Sequence, residues 1–343
     1  MMHADDVLLS TTQVAQLVGL TRQTVNTYIE KGLLATVPTE GGHNRIKLAD
    51  ALALQRLLQE GPTPDTRARV IVFTNQKGGV GKTTLTVNLA VLLHGLGARV
   101  LVVDLDPQGH ATFSLGINPD QCDYTIYNAF FDEDRVDLAQ LIQPTAFGPD
   151  LAPINIIASG ADRDLMQLPT WGTCLQKVLE RITPQYDYVL IDTAPHLGSL
   201  LANALIATDF VVIPTQLEML SARGISLLWD RIEEARKINK HLQVAGVVPM
   251  MVQAVQADLD MRAVVAEAFA GQQIRLFQSS ISRSTEFKNV ANARSIMAHK
   301  RPQSPHTKQY RSLLRELLVA VGDRSRAERL PATAGELADL VTV

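Results

Sequence analysis

Residues 77–84 read Lys77-Gly78-Gly79-Val80-Gly81-Lys82-Thr83-Thr84. Three glycines within four positions let the backbone close around an anion with no Cβ in the way. Their N–H groups can then converge on phosphate oxygens. Lys82 supplies a point charge suited to β- and γ-phosphates, and the Thr83 hydroxyl suits Mg²⁺. The general phosphate-loop pattern carries a glycine five residues before Gly81, where this chain has Gln76. A second lysine, Lys77, stands at the front of the loop instead.

Two carboxylate motifs follow. Val102-Val103-Asp104-Leu105-Asp106-Pro107-Gln108-Gly109 and Val189-Leu190-Ile191-Asp192-Thr193-Ala194-Pro195 each end an apolar run. Ligands of a parallel α/β sheet bind beyond the carboxyl ends of its strands, so both acids belong beside the glycine loop. Asp192 has the setting of a Walker-B aspartate and should orient Mg²⁺. Asp104 is expected near the same metal shell. Asp106, one step further out, is the candidate for positioning an attacking water. Capping of the following helices is the competing role for these acids.

The elements that must position these groups are legible. Val70-Ile71-Val72-Phe73-Thr74 is a β-branched, apolar strand leading into the loop. Leu85, Leu89, Leu92 and Leu93 recur at helical spacing after it, and Gly95 and Gly97 end that helix. Strands are expected at 70–74, 99–104, 154–158, 187–192, 209–214 and 244–250, with helices between them, notably 197–207 and 222–239. Alternating β and α elements predict a mostly parallel sheet wrapped by helices.

At 343 residues the chain has room for about two domains. Its 46% hydrophobic and 20% charged residues are ordinary for a globular protein. No apolar run is long enough to span a bilayer. The start, Met1-Met2-His3-Ala4-Asp5-Asp6, is unlike a signal peptide. Cys122 and Cys174 make no metal or redox spacing. A cytoplasmic protein is expected. The net charge of −3 hides an asymmetry: nine basic residues between Arg275 and Arg315 face one acid, Glu286. A segment of one sign suggests contact with a polyanion, a cationic structural helix being the other reading.

Residues 1–60 form a separate unit. Ser10 to Gln13 makes a capping box for a short helix with Val14, Ala15 and Leu17 inward. Thr21 can cap a second helix from Arg22 to Glu30, with Val25, Tyr28 and Ile29 on its buried face. Gly41-Gly42-His43-Asn44-Arg45-Ile46 follows as a hairpin wing, then a helix over about 48–58. The spacing Val14-Ala15, Gly19-Leu20, Thr24-Val25, Tyr28-Ile29, Gly32-Leu33 and the wing resemble the winged helix-turn-helix of the MerR and excisionase type. That resemblance implies that Arg22, Gln23, Thr24, Asn26 and Thr27 face a major groove, and that His43, Asn44 and Arg45 touch backbone or minor groove. Five basic residues stand against six acids in this unit, so a dimerisation or docking role competes with DNA binding. Residues 61–67, beginning Gly61-Pro62-Thr63-Pro64-Asp65, read as a linker.

Taken together, the glycine loop, Asp104-Leu105-Asp106-Pro107-Gln108-Gly109 and Ile191-Asp192-Thr193-Ala194-Pro195 resemble the ParA/Soj partition ATPases, in the deviant Walker-A, MinD-like P-loop group. Asn75-Gln76 and Ile213-Pro214-Thr215-Gln216 fit the same pattern. The resemblance covers residues 68–321, with 322–343 a C-terminal tail. It implies an α/β fold: a mostly parallel P-loop sheet wrapped by helices, preceded here by the small winged helix-turn-helix domain.

The resemblance also implies roles. Lys77 matches the signature lysine that reaches the partner's phosphates in an ATP-bound sandwich homodimer, and Asp106 the acid needed for hydrolysis. Gly78, Gly79, Val80, Gly81, Lys82, Thr83 and Thr84 bind the nucleotide's phosphates. Pro214, Met250 and Met251 fall where the family builds its adenine pocket. Arg283, Lys288, Arg294, Lys300 and Arg301 fall where it binds DNA without sequence preference. The implied activity is Mg²⁺-dependent ATP hydrolysis in plasmid or chromosome segregation. An ATP dimer would coat nucleoid DNA and be released by a ParB-like centromere-binding partner; autorepression would be a second task of the N-terminal unit. An ATP-gated transcriptional regulator and a positioner of protein cargo share the same chemistry. A MinD-like membrane cycle needs an amphipathic C-terminal helix, which Pro331 would break. An iron-protein relative needs cluster-ligating cysteines, and Cys122 and Cys174 lack that context.

Overall fold

A computed structural model of the chain describes residues 8–18, 21–30, 34–38, 44–48, 50–51, 54, 67–131, 137–217, 221–253, 262–265, 274–292 and 295–330. Its centre is an eight-stranded sheet. The strands are β4 (Arg69–Phe73), β5 (Val100–Leu105), β6 (Gln143–Pro144), β7 (Asp150–Ala152), β8 (Tyr188–Thr193), β9 (Phe210–Gln216), β10 (Gln243–Val252) and β11 (Ile281–Ser282). Their spatial order is β11-β10-β9-β4-β8-β5-β7-β6. Every pairing is parallel except β6 with β7.

Period-two alternation explains why both faces are apolar. Val70 and Val72 of β4, Leu101 and Val103 of β5, Val189 and Ile191 of β8, and Val211 and Ile213 of β9 enter one core. Ile71, Phe73, Val100, Val102, Leu190 and Val212 enter the other. Helices close each layer: residues Cys174–Ile182, Ser199–Ala207 and Ser221–Arg236 over the first, Lys82–Gly95 and Pro305–Ala320 over the second.

One expected strand is corrected. Residues 154–158 do not pair. The strand sits earlier, at β7, where Asp150, Leu151 and Ala152 align with Leu101, Val102 and Val103. Residues Ile156–Gly160 form a 3₁₀ turn capped by Asn155, whose Oδ1 accepts from Ile157 N at 3.3 Å. An asparagine that satisfies the first orphan N–H groups outcompetes the strand propensity of Ile156 and Ile157, which are left exposed.

The packed body also runs past Val321. Ala327 and Leu330 are buried in the second core. Asp323 anchors this end. Its carboxylate accepts from Tyr188 Oη at 2.5 Å and from Arg326 Nη1 at 2.8 Å, while Arg326 Nη2 reaches Asp187 at 3.2 Å. Burial pushes the Asp323 carboxyl up, but the hydrogen bonds from Tyr188 and Arg326 and the Arg326 charge together outweigh it and hold it down at about 2. A pKa depressed on folding adds stability that is fully present above the unfolded value and lost as pH falls through the folded one. Asp323→Asn should therefore cost about 2 kcal/mol at neutral pH, a penalty that shrinks between about pH 4 and pH 2. Urea unfolding midpoints of both proteins across that range measure it.

At the other end, helix α1 (Thr11–Val18) and helix α2 (Arg22–Glu30) accompany a small antiparallel sheet, β1 (Leu8–Leu9), β3 (Asn44–Lys47) and β2 (Val37–Pro38), in that order. The expected capping box is present: Ser10 N donates to Gln13 Oε1 at 2.9 Å and Gln13 N to Ser10 Oγ at 3.3 Å. Thr21 Oγ1 accepts from Thr24 N at 3.2 Å. Val14, Ala15, Val18, Val25, Leu34, Ile46 and Ala51 make a core of their own. The wing glycines, His43, the linker residues 61–66, most of the helix expected over 48–58 and the tail from 331 lie outside the described residues.

Candidate functional site

The glycine loop joins β4 to helix α3 (Lys82–Gly95). Gly79 and Gly81 have φ of 72° and 94°, a region where a Cβ is disfavoured. At Gly81 a Cβ would also come within 2.9 Å of Met250 Cε. Gly78 and Gly79 are exposed, Val80 is buried, and Thr83 and Thr84 are part-buried at the first turn of α3. The loop is shaped by Asn75. Its Oδ1 accepts from Lys77 N at 3.0 Å, its Nδ2 donates to Pro214 O at 2.8 Å, and its backbone carbonyl accepts from Lys82 Nζ at 3.1 Å. Lys82 Nζ also reaches Lys77 O at 3.3 Å. Asn75 thus ties the loop to the strand beside it, a role its sequence position alone does not reveal.

Sheet register brings the acids together. Asp104 of β5 lies directly across from Asp192 of β8, and Phe73, the end of β4, flanks Asp192 on the other side. Burial lowers the Lys82 pKa, opposed by the charges of Asp192 and Asp106. Burial raises Asp192 well above the usual carboxylate range, and the neighbouring Asp104 raises it further; the Thr83 hydroxyl and Lys82 pull the other way. Both Asp192 oxygens are buried and lack a well-formed hydrogen bond. An orphaned carboxylate is costly unless something cationic meets it. A hydroxyl and a carboxylate are hard oxygen donors of the kind Mg²⁺ takes while keeping most of its waters. Thr83 and Asp192 therefore fit that ion. Among the described residues no group of three or more His, Cys, Asp or Glu side chains could hold a metal by itself.

Asp104, the register partner of Asp192, has both carboxylate oxygens hydrogen-bonded within its own segment. Its Oδ2 accepts from Thr112 N and Thr112 Oγ1, both at 2.8 Å, and its Oδ1 from Asp106 N at 3.1 Å. Burial lifts its pKa to about 7 despite these bonds. With both oxygens engaged, it fixes the segment that carries Asp106. Asp106 is itself nearly buried, its Oδ1 accepts from Gln108 N at 3.0 Å, and Gly109, at φ 64°, closes the turn by donating to Asp106 O at 2.7 Å. A cavity of about 380 Å³ opens beside it, bordered by Asp106, Gln108, Ser159, Thr193 and His196. Space for water and a small polar group thus adjoins the candidate catalytic acid.

Of the expected adenine contacts, Pro214 and Met250 are buried, Met250 against Gly81 beneath the loop. The side chain of neither is open to a base. Met251 is part-buried and accepts from Gln216 Nε2 at 2.9 Å through its sulfur.

The basic segment is less uniform than its composition. Arg283 and Lys300 are exposed. Arg301 is exposed but pairs with Glu286 at 2.8 Å. Arg311 is buried, and Arg315 donates to the carbonyls of Ala327 and Leu330. Those last two are structural. Lys288 lies on the helix Glu286–Asn292, and Arg294 lies outside the described residues. In α2, Arg22 and Gln23 are exposed, and Asn26 is part-exposed. The hydroxyls of Thr24 and Thr27 bond within the helix turn, to Thr21 Oγ1 and Gln23 O. Arg45 lies on β3 opposite Val37, and Asn44 opposite Pro38.

Comparison with known proteins decides the family. The family model AAA_31, an AAA domain, matches residues 68–244. The chromosome-partitioning ATPase Soj of Thermus thermophilus is 34% identical over 261 residues, covering 74% of this chain and 97% of Soj. This chain belongs to the ParA/Soj-type P-loop ATPases. As such it is an ATP hydrolase. The sporulation initiation inhibitor protein Soj of Bacillus subtilis is 40% identical over 188 residues, which is 54% of this chain and 74% of that one. Among solved structures, cobyrinic acid a,c-diamide synthase of Mycobacterium smegmatis, with bound ATP analog and magnesium, superposes with a TM-score of 0.64 at 29% identity over 72% of this chain and 94% of that one. Among the described residues no helix is long and apolar enough to cross a membrane.

Proposed function

We propose that this ATPase is a DNA-segregation switch that works as an ATP-bound sandwich homodimer. The observation that carries this reading is its division of labour between two lysines. Lys82 is buried, its Nζ held on the carbonyls of Asn75 and Lys77 and within electrostatic reach of Asp192 and Asp106, as a resident phosphate ligand needs to be. Lys77 stands part-buried at the front of the loop, its Nζ donating to Gln216 Oε1 at 2.8 Å. In the proposed dimer Lys77 serves the partner's nucleotide and offsets charge that develops on the transferred phosphoryl group, an arginine-finger role. The named function of the Thermus relative, matched over nearly its whole length, supports partition as the biological setting.

The roles follow. The Gly78–Thr84 backbone and Lys82 hold the triphosphate. Thr83 and Asp192 would hold Mg²⁺, which neutralises phosphate charge when bound. Asp106, held by Asp104 and Thr112 through the turn, positions and deprotonates water in the adjoining cavity. The γ-phosphate is the ligand that separates an assembled from a dispersed population, so hydrolysis is the off-signal. Arg283 and Lys300, with Lys288, Arg294 and Arg301, supply phosphate contacts to DNA. The α1–α2 unit reads as a winged helix-turn-helix whose Arg22, Gln23 and Asn26 face a DNA groove, which supports autorepression or ATP-gated transcriptional control as a second task. The partner that triggers turnover is a ParB-like centromere-binding protein.

The test is DNA binding by the full chain with ATP and with ADP over a salt series, using DNA of arbitrary sequence. Binding is expected with ATP only, with log affinity falling linearly in log salt. Arg283→Ala with Lys300→Ala should flatten that slope by about one unit per lost phosphate contact. Equal binding with ADP, or a slope unchanged by both substitutions, contradicts the assignment.

A further inference from the structure

Lys77 is not left to wander at the mouth of the loop. Its Nζ donates to Gln216 Oε1 at 2.8 Å. An ammonium only donates, so the amide of Gln216 must turn its oxygen to Lys77, and its nitrogen faces the other way. That nitrogen sits 2.9 Å from Met251 Sδ. Met251, at φ 56°, is the one non-glycine residue with positive φ among the described residues. The neighbouring Met250 aligns with Gln216 across the β9–β10 pairing. The receiving side is therefore built from two strands and an unusual backbone turn. The donating side is mounted on the same strand, because Lys77 N bonds to Asn75, and Asn75 bonds to Pro214 O, two residues before Gln216.

We infer that Gln216 is a positioning residue that holds Lys77 on its own subunit, so that release of this contact sets the threshold for assembly. The inference rests on the proposed cross-dimer role of Lys77. A hydrogen bond from an ammonium to a neutral amide oxygen is weaker than one to the charged oxygens of a triphosphate. The contact is therefore strong enough to restrain the lysine in the dispersed protein and weak enough to yield to nucleotide on a partner. The flexible four-carbon stem of lysine suits such an exchange. A protomer whose lysine is held is not competent, and apparent affinity falls by the competent fraction.

The experiment compares full-length wild type, Gln216→Ala, Gln216→Glu and Lys77→Ala. Sedimentation with ATP and Mg²⁺ over a protein concentration series gives the half-association point, and turnover is measured in parallel. Gln216→Ala should lower the half-association concentration about tenfold, and Gln216→Glu, nearly isosteric with a charged acceptor, should raise it by at least as much. Opposite signs from two substitutions at one position are what a merely structural role does not produce. If both shift association the same way, or neither shifts it, while Lys77→Ala abolishes turnover, the restraint is wrong and the cross-dimer role stands. If Lys77→Ala leaves association and turnover intact, the underlying reading itself fails.

Discussion

Lys77→Ala should lower ATP turnover by about a thousandfold or more while leaving nucleotide binding to the isolated chain nearly intact. The size follows from what a finger residue supplies to phosphoryl transfer, about 10³ or more in rate. Binding survives because the contacts that shape the loop do not need the Lys77 side chain. Asn75 holds the loop through the Lys77 backbone N–H, and Lys82 bonds to backbone carbonyls of Asn75 and Lys77. Alanine retains all of these. Isothermal titration with a non-hydrolysable ATP analogue and steady-state phosphate release together measure the split. Loss of binding in step with loss of turnover would instead make Lys77 an ordinary part of its own subunit's phosphate site.

Asp106→Asn should give a different phenotype, with turnover down about a hundredfold or more and ATP-dependent association preserved or prolonged. Asparagine keeps an acceptor for Gln108 N and the backbone N–H that bonds to Asp104. The turn therefore keeps its shape and loses only the group that takes a proton. A protein that binds ATP but cannot hydrolyse it stays in the assembled state, so the variant should remain on DNA after wild type has left. Light scattering and DNA retention after ATP addition follow this directly. An Asp106→Asn protein that neither associates nor binds ATP would show that the carboxylate belongs to nucleotide binding.

Much of this site is legible in the chain because the chemistry is local. A glycine loop between a β-branched strand and a leucine-spaced helix has one geometry, and Lys82 and Thr83 take their places from it. Asp192 is legible because an apolar strand ends on it, and parallel strands deliver their last residues to one edge. Asp104 is harder to place. Its proximity to Asp192 follows from strand order, but its engagement with Thr112 depends on how the next helix folds back. Asn75 and Gln216 are amides whose partners lie 139 positions away on another strand or loop, and only the β4–β9 register reveals them. Residues 154–158 mislead for a local reason, since Asn155 caps a turn that competes with an apolar run. The packed end beyond Val321 depends on Asp323 and Arg326 meeting Tyr188 and Asp187, charges that look solvent-facing until the sheet is assembled. The basic stretch from Arg275 to Arg315 reads as uniform, yet Arg311 and Arg315 serve the fold while Arg283 and Lys300 face outward.

The cross-dimer role of Lys77 is tested most directly by mixing two inactive proteins. Lys77→Ala retains Asp106, and Asp106→Asn retains Lys77. If the lysine acts on its neighbour's nucleotide, a mixed dimer holds one complete site, and an equimolar mixture should recover about a quarter of wild-type turnover, given random pairing about a two-fold axis. If each lysine serves its own subunit, no mixed dimer holds a complete site, and turnover that stays at the level of the separate variants contradicts the account.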